Sequence, residues 1–342
     1  MDVPTWVWIA TGVVTLAIFT FDLAVVGRRP HEPSMKECAT YLSIYVGLAV
    51  LFGLGVWYTS GGTSALEFYS GWLVEYSLSI DNLFIFIIIM AKFAVPRELQ
   101  QYALMIGIVM ALVMRAIFIA VGAAAISNFS WIFYLFGLFL VYTAFKLAKE
   151  GAEDEDEEFE ENKLVAFIER RFPATSEWHG RELFHKDAGK RMITPMFIVI
   201  VTLGTTDLLF ALDSIPAIFG ITKEPYLVLT ANIFALMGLR QLYFLIGGLL
   251  QRLIYLSYGL AFLLAFIGVK LFFHALHENE LPFINGGEPL DYAWLEIPIW
   301  LSLVVILATL AITAVLSLWA SSRMTDEEQD AATGPRREWE HD

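Results

Sequence analysis

The stretch GTTDLLFALDSIPAIFGIT (residues 204–222) places two carboxylates, Asp207 and Asp213, inside a run that is otherwise apolar or weakly polar. A carboxylate at the centre of a membrane-spanning helix costs roughly 2.5–3.5 kcal/mol, so acids at that depth mark a site or an ion pair. The same spacing recurs upstream in EYSLSIDNLFIF (75–86), where Glu75 precedes Asp81 by six residues, as Asp207 precedes Asp213. Two such segments in one chain predict a polytopic membrane protein with paired acidic motifs.

Composition agrees. The chain has 342 residues, of which 57% are hydrophobic and 17% charged, with a mean hydropathy of +0.62; globular domains carry about 25% charged residues. A single cysteine excludes a disulfide framework and a thiolate-rich metal site. A net charge of −14 excludes a broad nucleic-acid footprint, and 15% aromatic residues exclude disorder. Nine runs are long and apolar enough to cross a bilayer as helix: 6–26, 40–58, 65–91, 102–124, 130–149, 194–219, 227–249, 254–275 and 297–320. The first reads as a span and not as a cleaved signal peptide, because MDVPTWVW has no basic residue and Asp22 lies within the run.

Lys and Arg set the orientation. With the N-terminus outside, Arg28, Arg29 and Lys36 fall in the first inner segment, Lys92 and Arg97 in the second, and Arg323, Arg336 and Arg337 in the tail, whereas the outer connecting loops keep only Lys223. This asymmetry predicts a multi-pass cell-membrane protein with an outer N-terminus and a cytoplasmic C-terminus. The stretch EDEDEEFEE (153–161) reads as part of a solvated cytoplasmic loop.

The two acidic motifs open a repeat. Glu75 and Asp81 match Asp207 and Asp213 at an offset of 132 residues; Arg115 and Gly122 match Arg240 and Gly247 at 125; Lys146 matches Lys270 at 124. Each block holds three spans, an odd number, so the second crosses the membrane inverted relative to the first. The fold class expected is therefore all-α and polytopic, with about nine transmembrane helices and two inverted three-helix repeats. The chain divides into two N-terminal spans (1–64), the first repeat (65–149), a charged cytoplasmic loop (150–193), the second repeat (194–276), an outer loop and last span (277–323) and an acidic cytoplasmic tail (324–342). Inverted repeats of this kind place substrate and ion near the midplane, where they meet.

Glu75, Asp81, Asp207 and Asp213 are the candidate metal ligands, with Arg115 and Arg240 as charge partners. Two arginines cannot balance four acids, so ion pairing alone leaves the motifs unexplained. Six residues along a regular helix separate two side chains by about 120° and roughly 9 Å, so neither pair can chelate one ion unless the helix breaks. Pro216, beside Asp213, and the Gly204–Thr205–Thr206 run predict such a break, with Ser77 and Ser79 in the milder role upstream. Freed carbonyls, Asn82, Ser214, Asn232, Thr206 and Ser77 are further candidate ligands. This hard oxygen set suits Mn²⁺, Ca²⁺ or Mg²⁺. Four acids and one divalent ion leave excess negative charge, which protons on some carboxylates would offset, and cation/proton antiport follows. Asp22, near Arg28 and Arg29, reads as an interfacial acid, and Lys146 and Lys270 as interface anchors.

The stretches EYSLSIDNLFIF, ALVMRAIF to AFKLA, GTTDLLFALDSIPAIFGIT and TANIFALMGLRQLYF together resemble the TerC family, named for tellurium resistance, over most of residues 65–275. The resemblance implies a fold related to the lysine-exporter superfamily, manganese efflux as the activity, and metal-binding roles for Glu75, Asp81, Asp207 and Asp213. One position differs: where many members carry a glutamate, three residues before the first aspartate of the second motif, this chain has Gly204.

The function expected is a secondary transporter, not an enzyme, that exports Mn²⁺ or a related divalent cation such as Ca²⁺ in exchange for protons. Its partners are then the cation, protons and the bilayer, with the cytoplasmic loop as a contact for other membrane proteins. No permanently bound cofactor and no nucleic acid are expected. The alternatives are tellurite or other oxyanion handling through Arg115 and Arg240, and metal delivery to secreted enzymes. An intramembrane hydrolase lacks a nucleophile–base pair.

Overall fold

The computed structural model describes residues 3–28, 33–129, 131–150, 177–187, 190–250, 255–277, 284–288 and 297–323, with single residues at 173, 175, 253, 279, 281 and 290. Within them, the side chains at 23–28, 81, 84, 150, 187, 190, 213, 246–250 and 287 are not described. The acidic run 153–161 and the tail from 324 lie outside the described residues.

Among the described residues, nine long apolar helices make up almost all of the structure: α1 (Thr5–Arg28), α2 (Met35–Ser60), α3 (Gly62–Lys92), α4 (Arg97–Asn128), α5 (Ile132–Glu150), α6 (Pro195–Phe219), α7 (Pro225–Leu250), α8 (Leu256–His277) and α9 (Ile299–Ser321). Each matches one of the nine predicted runs; α1–α4 and α7 extend beyond theirs at both ends, where polar residues continue the helix past its apolar stretch, and α5, α6, α8 and α9 begin one or two residues inside theirs. Local chemistry sets several boundaries. The Ser34 hydroxyl accepts from the Glu37 N–H at the start of α2, and Thr194 accepts from the Phe197 N–H ahead of Pro195 at the start of α6. Gly61, at φ 90°, is the single residue between α2 and α3, a conformation that a Cβ would penalise.

One element lay beyond the sequence reading. Within the charged loop, β1 (Phe184–Asp187) and β2 (Lys190–Ile193) form an antiparallel hairpin, with Phe184 opposite Ile193. The guanidinium of Arg191 lies 4.2 Å above the Phe184 ring, and the Thr194 hydroxyl donates to the Glu182 carbonyl at 2.5 Å, tying the hairpin to the first turn of α6.

The helix pairings follow the two sequence blocks. Outside α5–α8, the dominant contacts of α3–α8 run α3 to α7 and α4 to α6, with lesser ones α3 to α6 and α4 to α7. Exchanging α3, α4 and α5 for α6, α7 and α8 carries this set onto itself. The tightest pairing, α5 with α8, is antiparallel: Tyr134 meets Asn279 at one end, while Gly137 meets Gly268 further along. A Cβ on Gly137 would lie 2.9 Å from the Gly268 carbonyl oxygen, and one on Gly268 would lie 2.9 Å from that of Gly137. The two backbones approach this closely because neither helix carries a side chain there.

Burial separates the centre from the periphery. Most of Pro225–Leu245 of α7 is buried, and almost none of Thr5–Asp22 of α1. Exposed Trp6, Ile9, Val13 and Leu16 on α1, and Val304, Leu307 and Val315 on α9, form an apolar exterior suited to lipid. The chain is a multi-pass integral membrane protein.

Candidate cation site

Arg115, near the middle of α4, is fully buried and lies where α3, α4, α6 and α7 converge. Its Nε donates to Asp207 Oδ2 at 3.0 Å and its Nη2 to Asp207 Oδ1 at 3.3 Å, a bidentate grip on one carboxylate. Nη1 donates to Ser214 Oγ at 3.1 Å and to Asn232 Oδ1 at 3.0 Å. Nη1 also meets Oε1 of Glu75. Asp207 and Ser214 reach one guanidinium because seven residues is close to two helical turns. Asn232 is held in register by its own amide, which donates to the Val228 carbonyl at 3.0 Å.

Glu75, Asp207, Ser214 and Asn232 are each at most 1% exposed, so these contacts form without competing water. Glu75 and Asp207 come from the two different sequence blocks and share one centre. The centre also holds unsatisfied groups: Oε2 of Glu75 and Oγ of Ser79, one turn further along α3, are buried with no hydrogen-bond partner among the described residues. Buried polar atoms left this way are costly and call for a partner.

Of the other predicted ligands, Asn82 and Thr206 are buried on α3 and α6. The Ser77 hydroxyl turns back to its own helix and donates to the Leu73 carbonyl at 2.6 Å. The side chains of Asp81 and Asp213 lie outside those described, and among the described residues no three His, Cys, Asp or Glu side chains come together as a metal-binding group.

Two expectations change. Neither α3 nor α6 is broken at its acidic motif. Pro216 lies inside α6, three residues before its end, and the N–H it lacks would have donated to the Leu212 carbonyl beside Asp213; its own carbonyl accepts from the Gly220 N–H at 3.0 Å. The carbonyl that loses its helical donor is therefore that of Leu212, and no unwound stretch adds others among the described residues. Arg240, expected beside the acids, instead donates from Nη2 to Asp22 Oδ2 at 3.2 Å, and the Tyr45 hydroxyl donates to the same oxygen at 2.9 Å. Asp22, expected at the interface, is thus a half-buried counter-ion from α1, and the other end of the guanidinium, Nη1, has no hydrogen-bond partner among the described residues.

Two polar residues away from the Arg115 contacts also find partners, and of these Glu67 carries no mark in the sequence. Glu67 on α3, eight residues before Glu75, accepts from the Thr222 hydroxyl at 2.7 Å. Lys270, expected as an interface anchor, donates to Ser302 Oγ on α9 at 3.1 Å. The position at which the family pattern carries a glutamate is packed: a Cβ on Gly204 would lie 2.6 Å from the Met110 methyl.

The Integral membrane protein TerC family model matches residues 60–325. An uncharacterized membrane protein of Mycobacterium tuberculosis (strain ATCC 25618 / H37Rv) is 46% identical over 317 residues, 92% of this chain and 79% of that protein. An uncharacterized membrane protein of Myxococcus xanthus is 37% identical over 264 residues, covering 77% and 82% of the two chains. A protein of Escherichia coli (strain K12), whose name proposes a membrane-bound redox modulator, Alx, is 34% identical over 325 residues, 92% of this chain and 95% of its own. No solved structure matches the chain. With a family match across more than three quarters of its length, the chain belongs to the TerC family of integral membrane proteins.

Proposed function

We propose that this protein is a secondary transporter of the cell membrane that exports divalent metal cations, Mn²⁺ foremost, in exchange for protons, with its N-terminus outside and its C-terminus in the cytoplasm. The observation that carries this reading is the meeting of Glu75 and Asp207, fully enclosed carboxylates from the two sequence blocks, at one guanidinium between four helices, with Oε2 of Glu75 unpaired among the described residues. Carboxylate, amide and hydroxyl oxygens are hard ligands that favour Mn²⁺, Ca²⁺ or Mg²⁺ over softer metals. Asp81 and Asp213, on the same two helices, complete the proposed set. Outward direction rests on the family.

The oxyanion alternative is disfavoured by geometry. The donors of Arg115 already face Asp207, Ser214, Asn232 and Glu75, so an incoming anion would have to displace carboxylates from a guanidinium they hold in two-point contact. A redox role of the kind that the name of the Escherichia coli relative suggests cannot rest on a dithiol within this chain, whose single cysteine, Cys38, is buried.

The test is Mn²⁺ accumulation in inverted vesicles or proteoliposomes, with an internal pH dye recording alongside, for the unaltered protein and for Asp81→Asn, Asp207→Asn and Asp213→Asn. Accumulation with matched proton movement, lost in the variants, is the expected result. Metal flux without proton movement would remove the antiport; absence of any divalent flux would remove the transporter.

A further inference from the structure

We propose that Arg115 is a tethered counter-cation: its guanidinium and the transported divalent ion occupy the Glu75–Asp207 centre in alternation, and its return expels the ion. This rests on the divalent-cation reading above and adds to it the means of release. The guanidinium stands where the ion would bind. Its Nε and Nη2 span both oxygens of Asp207, and its Nη1 reaches Glu75. Glu75 and Asp207, both nominated as ligands, are thus engaged by one guanidinium side chain.

Occupancy sets the alternation. Both oxygens of Asp207 face N–H groups of one guanidinium, so a divalent cation can take them only when that grip opens. Like charges at close range in a water-poor interior repel strongly, so the cation and Arg115 do not share those oxygens. The protein also supplies a place for the guanidinium to stay attached: Ser214 Oγ and Asn232 Oδ1 are neutral acceptors on the Nη1 side, away from the Asp207 grip, and the Asn232 amide is fixed by Val228. Arg115 can give up its grip on Asp207 while keeping these two contacts, with Nη1 still at Glu75 Oε1 and Oε2 of Glu75 left for the ion. Arg240, at the equivalent position of the other block, is held by Asp22, to which Tyr45 also donates, which leaves Arg115 as the described cation that contacts Glu75 and Asp207.

The two roles an arginine can have here predict opposite signs. A structural arginine that orients the carboxylates should weaken ion binding when removed, and binding and flux should fall together. A tethered competitor should tighten binding when removed while slowing turnover, because nothing replaces the departing ion. The experiment compares Mn²⁺ binding to purified full-length protein, read from the loss of the free Mn²⁺ electron paramagnetic resonance signal, with Mn²⁺ flux in proteoliposomes. Arg115→Gln is expected to bind Mn²⁺ about tenfold more tightly, within the usual range of coupling between two competing states, and to transport more slowly by a similar factor. Arg115→Lys, which keeps the charge but cannot make the two-point grip on Asp207, is expected between Arg115→Gln and the unaltered protein in affinity. It carries the test if the glutamine variant does not fold. Affinity equal to or weaker than that of the unaltered protein in the folded variants would overturn the tethered cation and leave the transporter standing. Absence of saturable Mn²⁺ binding and flux in the unaltered protein would overturn both.

Discussion

Arg115 and Arg240 occupy the same place in the two sequence blocks, 125 residues apart, yet the structure uses them differently. Arg115 is fully enclosed and binds acids from both blocks, together with Ser214 and Asn232. Arg240 is drawn to Asp22, on a helix outside the repeated part, and shares that carboxylate with Tyr45. Strict symmetry would pair Arg240 with Glu75, just as Arg115 pairs with Asp207. The departure teaches that α1 supplies an acid that occupies one arginine, so that Glu75 joins Asp207 at the other. The described carboxylates consequently form one centre instead of two equivalent half-sites.

The largest expected effect that separates these regions is on transport. Asp207→Asn should lower Mn²⁺ flux about 10–100-fold, the range in which lost partners cost a metal site. Asp22→Asn, which acts only on the Arg240 side, should retain most of the flux in the same proteoliposome assay. Equal losses would break the comparison by making Asp22 part of the ion's route.

Stability should show the next largest difference. Arg115→Met leaves two buried carboxylates without their cation, a change that typically costs about 3–5 kcal/mol. Arg240→Met leaves only Asp22, which is 13% exposed and keeps the Tyr45 hydroxyl, so about 1.5–3 kcal/mol is expected for the lost charged hydrogen bond. Thermal unfolding in detergent should rank them in that order. Adding Asp207→Asn to Arg115→Met should recover part of the loss, because it removes one of the stranded charges.

What the sequence revealed, and what it hid, follows the same division. The nine spans were legible because bilayer thickness imposes a minimum apolar length, and the buried acids because each is anomalous in such a run. Glu75, Asp207, Ser214, Asn232 and Arg115 come together as a group, and all five were singled out from position and chemistry alone. Asp22 was misjudged because its neighbours along the chain, Arg28 and Arg29, suggested a local partner, while its actual partner lies 218 residues away. The expected helix break did not form: α6 runs unbroken through Pro216, which removes the donor to Leu212 but has only three helical residues beyond it to displace. The hairpin at Phe184–Ile193 has strands of four residues, FHKD and KRMI, too short and too charged for a periodic signal. The Glu67–Thr222 contact joins α3 to the link between α6 and α7 and has no mark in local sequence.

The smallest expected effect tests whether the Arg240 region is a passive anchor. Tyr45→Phe removes the hydroxyl that donates to Asp22 and leaves the ring packed between the same neighbours. Arg240 Nη2 still satisfies that carboxylate, and the deleted hydroxyl strands no donor on the aromatic side chain. The cost should therefore be about 1 kcal/mol, that of one hydrogen bond, visible as a small fall in unfolding temperature, with Mn²⁺ affinity and flux unchanged. An anchor allows no other pattern, because Asp22 and Arg240 stay in contact and nothing is transmitted to Glu75. If Tyr45→Phe instead altered Mn²⁺ flux while barely changing stability, the hold on Arg240 would have to be released during transport. The two arginines would then act in sequence, with α1 joined to the moving machinery instead of flanking it.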